Sequence, residues 1–144
     1  MGNHVGEVFA NLLRGNSTLR YLNLSRNQLR RSVLHFAWAL TPNAPTRHNA
    51  TLTSLALGGH DLRDGRAVAL ATALRRNTTL TELDLYESIV GRDEVHALTD
   101  ALRTNTTLTE LDLRAISFWG ERILGDILRD DALLRVRVLS SWYP

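Results

Sequence analysis

The sequence predicts an α/β fold: a short, curved solenoid (horseshoe) with parallel strands on its concave face and helices on its convex face. The first observation is a repeated string, because NTTLTELDL fills positions 77–85 and again 105–113. The second is the spacing L-x-x-L-x-L, with Val in place of some Leu in the last unit, in units that start at 16, 49, 77, 105 and 130. Repeats of about 20–50 residues are typical of solenoids, whose units bury their apolar side chains only by stacking.

The strand of each unit is predicted from alternation. In the unit 77–104, Leu83 and Leu85 alternate with the polar residues Glu82 and Asp84. Alternation with a period of two indicates a short strand with one buried face. We therefore expect the leucines to point into the core and the polar residues to point away from it.

The helix of the same unit is predicted from a different spacing. Val95, Leu98 and Leu102 lie at i, i+3 and i+7, which forms a single apolar face. Asp93 is expected to cap the helix and Asn105 to end the unit, since Asn accepts a left-handed turn and bonds its own backbone. The same face is expected in the other helices from Val33, Phe36 and Leu40; from Val68, Leu70, Ala71 and Leu74; and from Ile123, Leu124, Ile127 and Leu128.

The units divide the chain into one domain, 1–144. A half-repeat covers 1–15, repeats start at 16, 49, 77 and 105, and a partial repeat or cap covers 130–144. No secretory signal or membrane-spanning stretch is visible, which favours a cytoplasmic protein. The absence of cysteine excludes disulfides and thiolate chemistry.

Charge and motifs exclude several classes of function. The net charge is +2, and the 17 basic residues are all Arg and are spread along the chain, which argues against a nucleic-acid-binding stripe. Since no stretch is apolar enough to span a membrane, no membrane contact is expected. The five histidines have no metal-ligand spacing, and no nucleotide-binding or nucleophile motif occurs. Five N-x-[ST] sequons occur, four of them at a repeat start, so we interpret them as part of the repeat. We therefore expect no enzyme activity, no cofactor and no metal.

A resemblance to a known family rests on the first unit. Leu19, Leu22, Leu24, Asn27 and Leu29 spell L-x-x-L-x-L-x-x-N-x-L, which resembles the leucine-rich repeat family. The long unit and its helix are similar to the ribonuclease-inhibitor-like subfamily. That resemblance implies an α/β horseshoe that serves as a scaffold for protein partners, without indicating which partner.

Beyond an inserted loop at 41–48 in the first unit, the chain departs from the family pattern at two points. The position of Asn27 is taken by His60, Ser88 and Ile116 in later units, and Ile116 cannot bond backbone, so a looser or differently built turn is expected there. The chain also opens on a helix with no strand before it, which predicts half-covered apolar side chains at Val8, Phe9 and Leu12. A fragment, a docking end or an oligomer would each account for that second departure.

The concave face is the predicted partner-binding surface, because outward strand residues line it. Glu82 is expected beside Glu110 and Asp84 beside Asp112, so the third and fourth strands are acidic and fit a basic protein surface. Solvated acidic filler is the alternative interpretation. The predicted partner-binding residues are Tyr21, Glu82, Asp84, Tyr86, Glu110, Asp112, Arg114, Arg135 and Arg137.

Two other functions stay open. The chain could be a structural subunit that docks or self-associates through its ends, with Trp142 and Tyr143 of the SWYP tail at one end. Repeats of the resembled subfamily also occur in activators of small GTPases. A loop arginine would then act on the GTPase, and the candidates are Arg26, Arg63, Arg92 and Arg114.

Overall fold

The computed structural model describes residues 3–27, 29, 31–42, 47–116 and 137–139, and within them it confirms the α/β solenoid. Five parallel strands form one sheet in the order β1-β2-β3-β4-β5. The strands are β1 Tyr21–Asn23, β2 Ser54–Ala56, β3 Glu82–Asp84, β4 Glu110–Asp112 and β5 Arg137–Leu139. The helices are α1 Asn3–Gly15, α2 Ser32–Leu40, α3 Arg66–Leu74 and α4 Arg92–Thr104.

The pairing between strands follows the sequence repeat. Glu82 pairs with Glu110 and Asp84 with Asp112, as predicted. The fifth strand differs, since a repeat start at 130 would have placed Arg135 beside Glu110, whereas Arg137 occupies that place. A shift of two residues leaves the inward and outward faces unchanged. Arg135 itself lies outside the described residues.

One apolar core runs between the sheet and the helices. The alternating leucines of β2, β3 and β4 are buried, and the apolar faces of α2 and α4 are buried as predicted. Val68 was predicted to point inward and is instead exposed on α3, where Ala67 takes the buried place. The predicted core residues Ile123, Leu124, Ile127 and Leu128 lie outside the described residues.

Buried asparagines join the units. Asn105 accepts hydrogen bonds from the backbone N–H groups of Thr107 (2.8 Å) and Leu108 (2.7 Å), and its Nδ2 donates to the carbonyl of Asn77 in the preceding unit (3.2 Å). Asn49 and Asn77 are buried and bonded in the same way. Because these amide nitrogens are buried and engaged, the three sequons that start there belong to the fold.

The left-handed residue of each turn lies elsewhere than predicted. Asn105 has an extended backbone, and a positive φ recurs after each of the first four strands, at Arg26, Gly59, Glu87 and Ala115, while Asp64 and Gly65 before α3 have positive φ as well. The spacing of the four residues after the strands equals the repeat, and Ala115 (φ 54) matches Glu87 (φ 55). The turn before Ile116 is therefore built like the others, and the expectation of a looser turn is wrong. Ile116 is buried, so an apolar side chain stands where His60 and Ser88 hydrogen-bond to backbone in the earlier units.

Polar side chains fill the same place in two earlier units. The ring Nε2 of His60 lies 2.9 Å from the carbonyl of Leu24, and Ser88 Oγ donates to the carbonyl of Leu57 at 3.3 Å.

The predicted helix cap is also wrong, because α4 begins at Arg92 and Gly91 precedes it, which places Asp93 inside the first turn. Asp93 still carries the negative charge that a helix start favours.

Candidate functional site

A shallow groove of about 220 Å³ lies on the concave face, the side of the sheet that points away from the helices. Its lining includes six of the nine predicted partner-binding residues. The full lining is Tyr21, Ser54, Ala56, Glu82, Leu83, Asp84, Glu110, Asp112 and Arg114. Tyr86 lies beside it, with its ring centre 5.8 Å from the guanidinium carbon of Arg114. Arg137 belongs to β5 beside Glu110.

The groove follows β2 because that strand carries small outward residues. Ser54 and Ala56 form its floor between the larger side chains Tyr21 on β1 and Glu82 on β3, with which Ser54 is in register. Gly58 continues the line, and a Cβ there would lie 2.8 Å from a backbone oxygen of the next unit. The short side chains on β2 therefore form the bottom of a groove whose two sides are the longer side chains on β1 and β3.

The two aspartates of the groove hydrogen-bond to the backbone that follows their strands. Asp84 Oδ1 accepts the backbone N–H of Tyr86 at 2.7 Å, and Asp112 Oδ1 accepts that of Arg114 at 3.0 Å. Asn23 makes the same contact to Ser25 in the first unit. Such Asx turns fix the chain as it leaves the strand. Sequence reasoning assigned both aspartates to the partner and missed this contact, although the repeated Asp or Asn at the last strand position was visible.

An ion pair neutralises one edge of the groove. The guanidinium of Arg114 binds the Asp112 carboxylate through Nη2 (2.6 Å) and Nε (3.0 Å). The hydrogen bond and the charge of Asp112 raise the pKa of Arg114 above its usual value. Asp112 is only 8% exposed. The Asp112 carboxylate is therefore largely neutralised by Arg114, and the concave face is less acidic than the sequence suggests.

The glutamates differ from the aspartates. Glu82 is exposed, and its carboxylate makes no hydrogen bond or ion pair with any other described residue. Its neighbour in register, Glu110, is half-buried and lies beside Arg137. Two carboxylates on strands about 4.8 Å apart repel each other by about 1 kcal/mol in water. A cationic group of a partner can therefore reach the Glu82 carboxylate, and neutralising it would relieve its repulsion with Glu110.

The repeated string NTTLTELDL can now be explained residue by residue. Its leucines are buried, Asn77 and Asp84 bond backbone, and Thr81 Oγ1 donates to the carbonyl of Thr53 at 3.0 Å. Thr109 repeats that contact to Thr81 at 3.1 Å. Sequence reasoning missed this threonine ladder, which the threonine shared by three units could have indicated. In the first copy, Thr78 and Glu82 are the residues that point fully into solvent.

Three of the four loop arginines considered for a GTPase-activating role are held by carboxylates. Arg26 binds Glu87, Arg63 binds Asp61 with Nη2–Oδ2 2.7 Å, and Arg114 binds Asp112. The hydrogen bond from Arg63 lowers the pKa of Asp61 to about 2. These pairs stabilise the loops in one conformation, and among the four arginines the exposed Arg92 is the one without such a described pair.

Two negative findings apply to the described residues only. Within 3–116, apart from the short gaps named above, and 137–139, no group of three or more His, Asp or Glu side chains could hold a metal ion. None of the helices described is long and apolar enough to cross a membrane.

Comparisons with known proteins agree with the fold. A family model for the leucine-rich repeat matches residues 15–30 and 48–71. No curated protein matches the sequence. A solved structure, "Leiomodin-1 Actin-Binding Site 2 (ABS2)", is similar with a TM-score of 0.71 and 20% identity, over 94% of this chain and 78% of that chain.

The class of protein that the fold and these matches support is a leucine-rich repeat protein with an α/β solenoid. The matched stretches include the strands and turns of the first two units. At 20% identity, the similar structure speaks for the fold alone. The ribonuclease-inhibitor-like subfamily remains a hypothesis based on the length of the unit and its helix.

Proposed function

We propose that this chain is a non-enzymatic interaction module that binds a protein partner through its concave face. The observation that carries the proposal is the groove over β2, where exposed Tyr21 and Glu82 flank a floor of small side chains. Aromatic side chains beside a polar rim are common anchors of protein interfaces. The Glu82 carboxylate has no hydrogen-bond partner among the described residues, and the Tyr21 hydroxyl accepts a hydrogen bond from the exposed Asn23 Nδ2 (3.2 Å) while the rest of its ring is free to contact a partner. The similar leiomodin structure, which bears an actin-binding site in its title, is consistent with a protein partner.

The partner surface that fits this groove is basic. A Lys or Arg side chain can lay its apolar stem on Ala56 and bring its charge to Glu82, with Tyr21 on the opposite wall. Glu110 and Tyr86 extend the contact toward the fourth unit. In this proposal the main role of Asp84, Asp112 and Arg114 is to stabilise the side of the groove. Both aspartates accept backbone N–H groups, and Arg114 forms an ion pair with Asp112.

A site-specific cross-linker tests the face with a matched control. Tyr21 and Trp38 are both exposed aromatics, at 57% and 60%, but Tyr21 lies on the concave face and Trp38 on the convex side of α2. Replacing each in turn by a photo-reactive phenylalanine and irradiating in source lysate should give a discrete protein adduct from position 21 only. An adduct from position 38 alone would contradict the concave-face proposal.

A subunit of a larger assembly, docked through the ends of the solenoid, is the second candidate function. The observation that favours it is the exposure of Phe9 and Leu12 at the N-terminal end. The SWYP tail, which was the predicted contact at the other end, lies outside the described residues. The GTPase-activating alternative is less well supported, since three of its four candidate arginines are held in ion pairs.

A further inference from the structure

The outward sides of α2 and α3 carry exposed apolar side chains. On α2, Leu34 and Trp38 lie one turn apart, each about 160° around the helix from the buried Phe36. Val68 takes the place of Leu34 on α3, because each lies two residues before a buried side chain at the middle of its helix, Phe36 or Leu70. Leu34 is 38%, Trp38 60% and Val68 37% exposed. These three residues, called the apolar patch here, project from the convex side of the solenoid.

The scaffold does not require apolar residues at these positions. In α4 the corresponding residues, two before and two after the buried Leu98, are His96 and Asp100, and both are exposed. The three helices pack on the core through equivalent buried faces, so polar outward residues are compatible with the fold. A repeat added at either end of the solenoid would extend the row of helices and leave their outward sides open. The apolar patch is therefore a property of α2 and α3 themselves.

The same part of the chain is basic, because the arginines are spread along the sequence but the acids are not. Residues 8–60 contain six arginines and no acidic residue, whereas residues 61–144 contain 11 arginines and 14 acids. The helices α2 and α3 have no Asp or Glu of their own. The guanidinium of Arg14 lies 4.8 Å from the centre of the Trp38 ring, and Arg75 is exposed two turns after Val68. Such a charge asymmetry indicates binding to a polyanionic surface.

We propose that the convex face of α2 and α3 binds an anionic membrane surface, with the apolar patch among the lipid headgroups and Arg14 and Arg75 against their phosphates. Tryptophan and arginine suit this position, because each combines an apolar body with a polar or charged end. The sequence-based expectation of no membrane contact considers spanning stretches only, whereas a peripheral contact depends on one helix face and on charge. The concave groove lies on the opposite side of the sheet and stays open to a protein partner.

An acidic helix of a partner protein is the alternative occupant. Such a helix is normally held in a groove that receives its apolar side chains. The apolar patch instead consists of the outermost side chains of two packed helices, whose axes lie about 8–10 Å apart. A fluid lipid surface receives projecting side chains without a matching cleft, and its phosphates accept the paired hydrogen bonds that arginine donates. The shape of the patch therefore favours the membrane.

Sedimentation of the full chain with lipid vesicles tests the proposal. We expect binding to vesicles of phosphatidylcholine mixed with phosphatidylserine, little binding to vesicles of phosphatidylcholine alone, and weaker binding as salt is raised. No binding to the mixed vesicles, or equal binding to both kinds, would overturn the proposal. Binding of a soluble amphipathic peptide of Leu and Glu in place of vesicles would also overturn it, since the occupant would then be a protein.

Two pairs of matched substitutions locate the contact. Trp38→Ser and Ile89→Ser each remove an exposed apolar side chain, the second from the loop after β3. Arg75→Gln and Arg103→Gln each remove a positive charge at the C-terminal end of a helix, α3 and α4 respectively. All four side chains are exposed, so circular dichroism should show the fold retained.

We expect Trp38→Ser to weaken vesicle binding at least about fivefold and Arg75→Gln to weaken it about fivefold, while the two control variants bind as the wild type does. Equal losses within each pair would overturn the proposal. Since the expected occupant of the convex face is lipid, a photo-reactive residue at position 38 still gives no discrete protein adduct. The contact is independent of the groove, so its failure would leave the proposed function of the concave face untouched.

Discussion

The two halves of the concave face share one scaffold but carry different outward side chains. Around β1 and β2 the outward residues are Tyr21, Asn23, Ser54 and Ala56, and around β3 and β4 they are two pairs of acids. The hydrogen bonds beneath them are the same, because asparagine and threonine ladders join the units across both halves. The difference shows that the ladder positions stabilise the fold, whereas outward side chains outside the Asx turns, such as Tyr21 and Glu82, are available for recognition.

The largest expected effect is loss of a ladder position. Asn77→Ala removes a buried side chain that bonds Thr79, Leu80 and the carbonyl of Leu40, and we expect unfolding free energy to fall by about 2–4 kcal/mol. Asn16→Ala is the matched control, since Asn16 is exposed and should cost about 1 kcal/mol or less. Urea denaturation followed by circular dichroism measures both. Equal losses would show that the ladder does not stabilise the fold.

An intermediate effect is expected at the aspartates, which lie on the face but serve the scaffold. Asp112→Ala removes the acceptor for the backbone N–H of Arg114 and for its guanidinium, and should cost about 1–2 kcal/mol of unfolding free energy. Glu82→Ala, on the neighbouring strand, should stay within about 0.5 kcal/mol. If the two variants lost the same stability, the division between scaffold and recognition residues would fail.

A pH-dependent effect is expected at the buried histidine. Burial lowers the pKa of His60 below 6.5, although the carbonyl of Leu24 partly opposes this. The unfolded chain therefore takes up a proton at higher pH than the folded chain does, so stability should fall as pH drops from above 6.5 through the lowered pKa. His60→Asn, which restores the residue type of position 27, should flatten that part of the profile. Urea denaturation at several pH values measures the profile, and an unchanged slope in the variant would contradict the role of His60.

The smallest effect on stability should accompany a large effect on binding. Glu82→Gln keeps the shape of the side chain and removes its charge, so Tm should change by no more than about 1–2 °C. Binding of a basic partner should weaken, and its dependence on salt should become shallower. Titration calorimetry at two salt concentrations would measure this. Unchanged affinity and salt dependence would assign the contact to groups other than the Glu82 carboxylate.

Most of the fold could be predicted from the sequence because the repeat fixes both spacing and burial. The register of β3 and β4 followed from an identical string, whereas the register of β5 was wrong by two residues, since its unit shares only three apolar positions with the others. The roles of Asp84 and Asp112 were missed, because a single outward carboxylate looks the same whether it bonds backbone or faces a partner, and only the repetition of Asp or Asn at the last strand position indicates the backbone bond. Distances to Tyr86 and Arg114 decide between those roles.

The most direct test of the account is the affinity of the partner that cross-links at position 21, measured for Glu82→Arg and for Asp100→Arg. Both substitutions reverse one exposed carboxylate, on the concave face and on the outer side of α4 respectively. We predict that Glu82→Arg weakens binding at least about tenfold, or about 1.4 kcal/mol, and that Asp100→Arg leaves it unchanged. Equal affinities for the two variants, both folded by circular dichroism, would contradict recognition through the concave face.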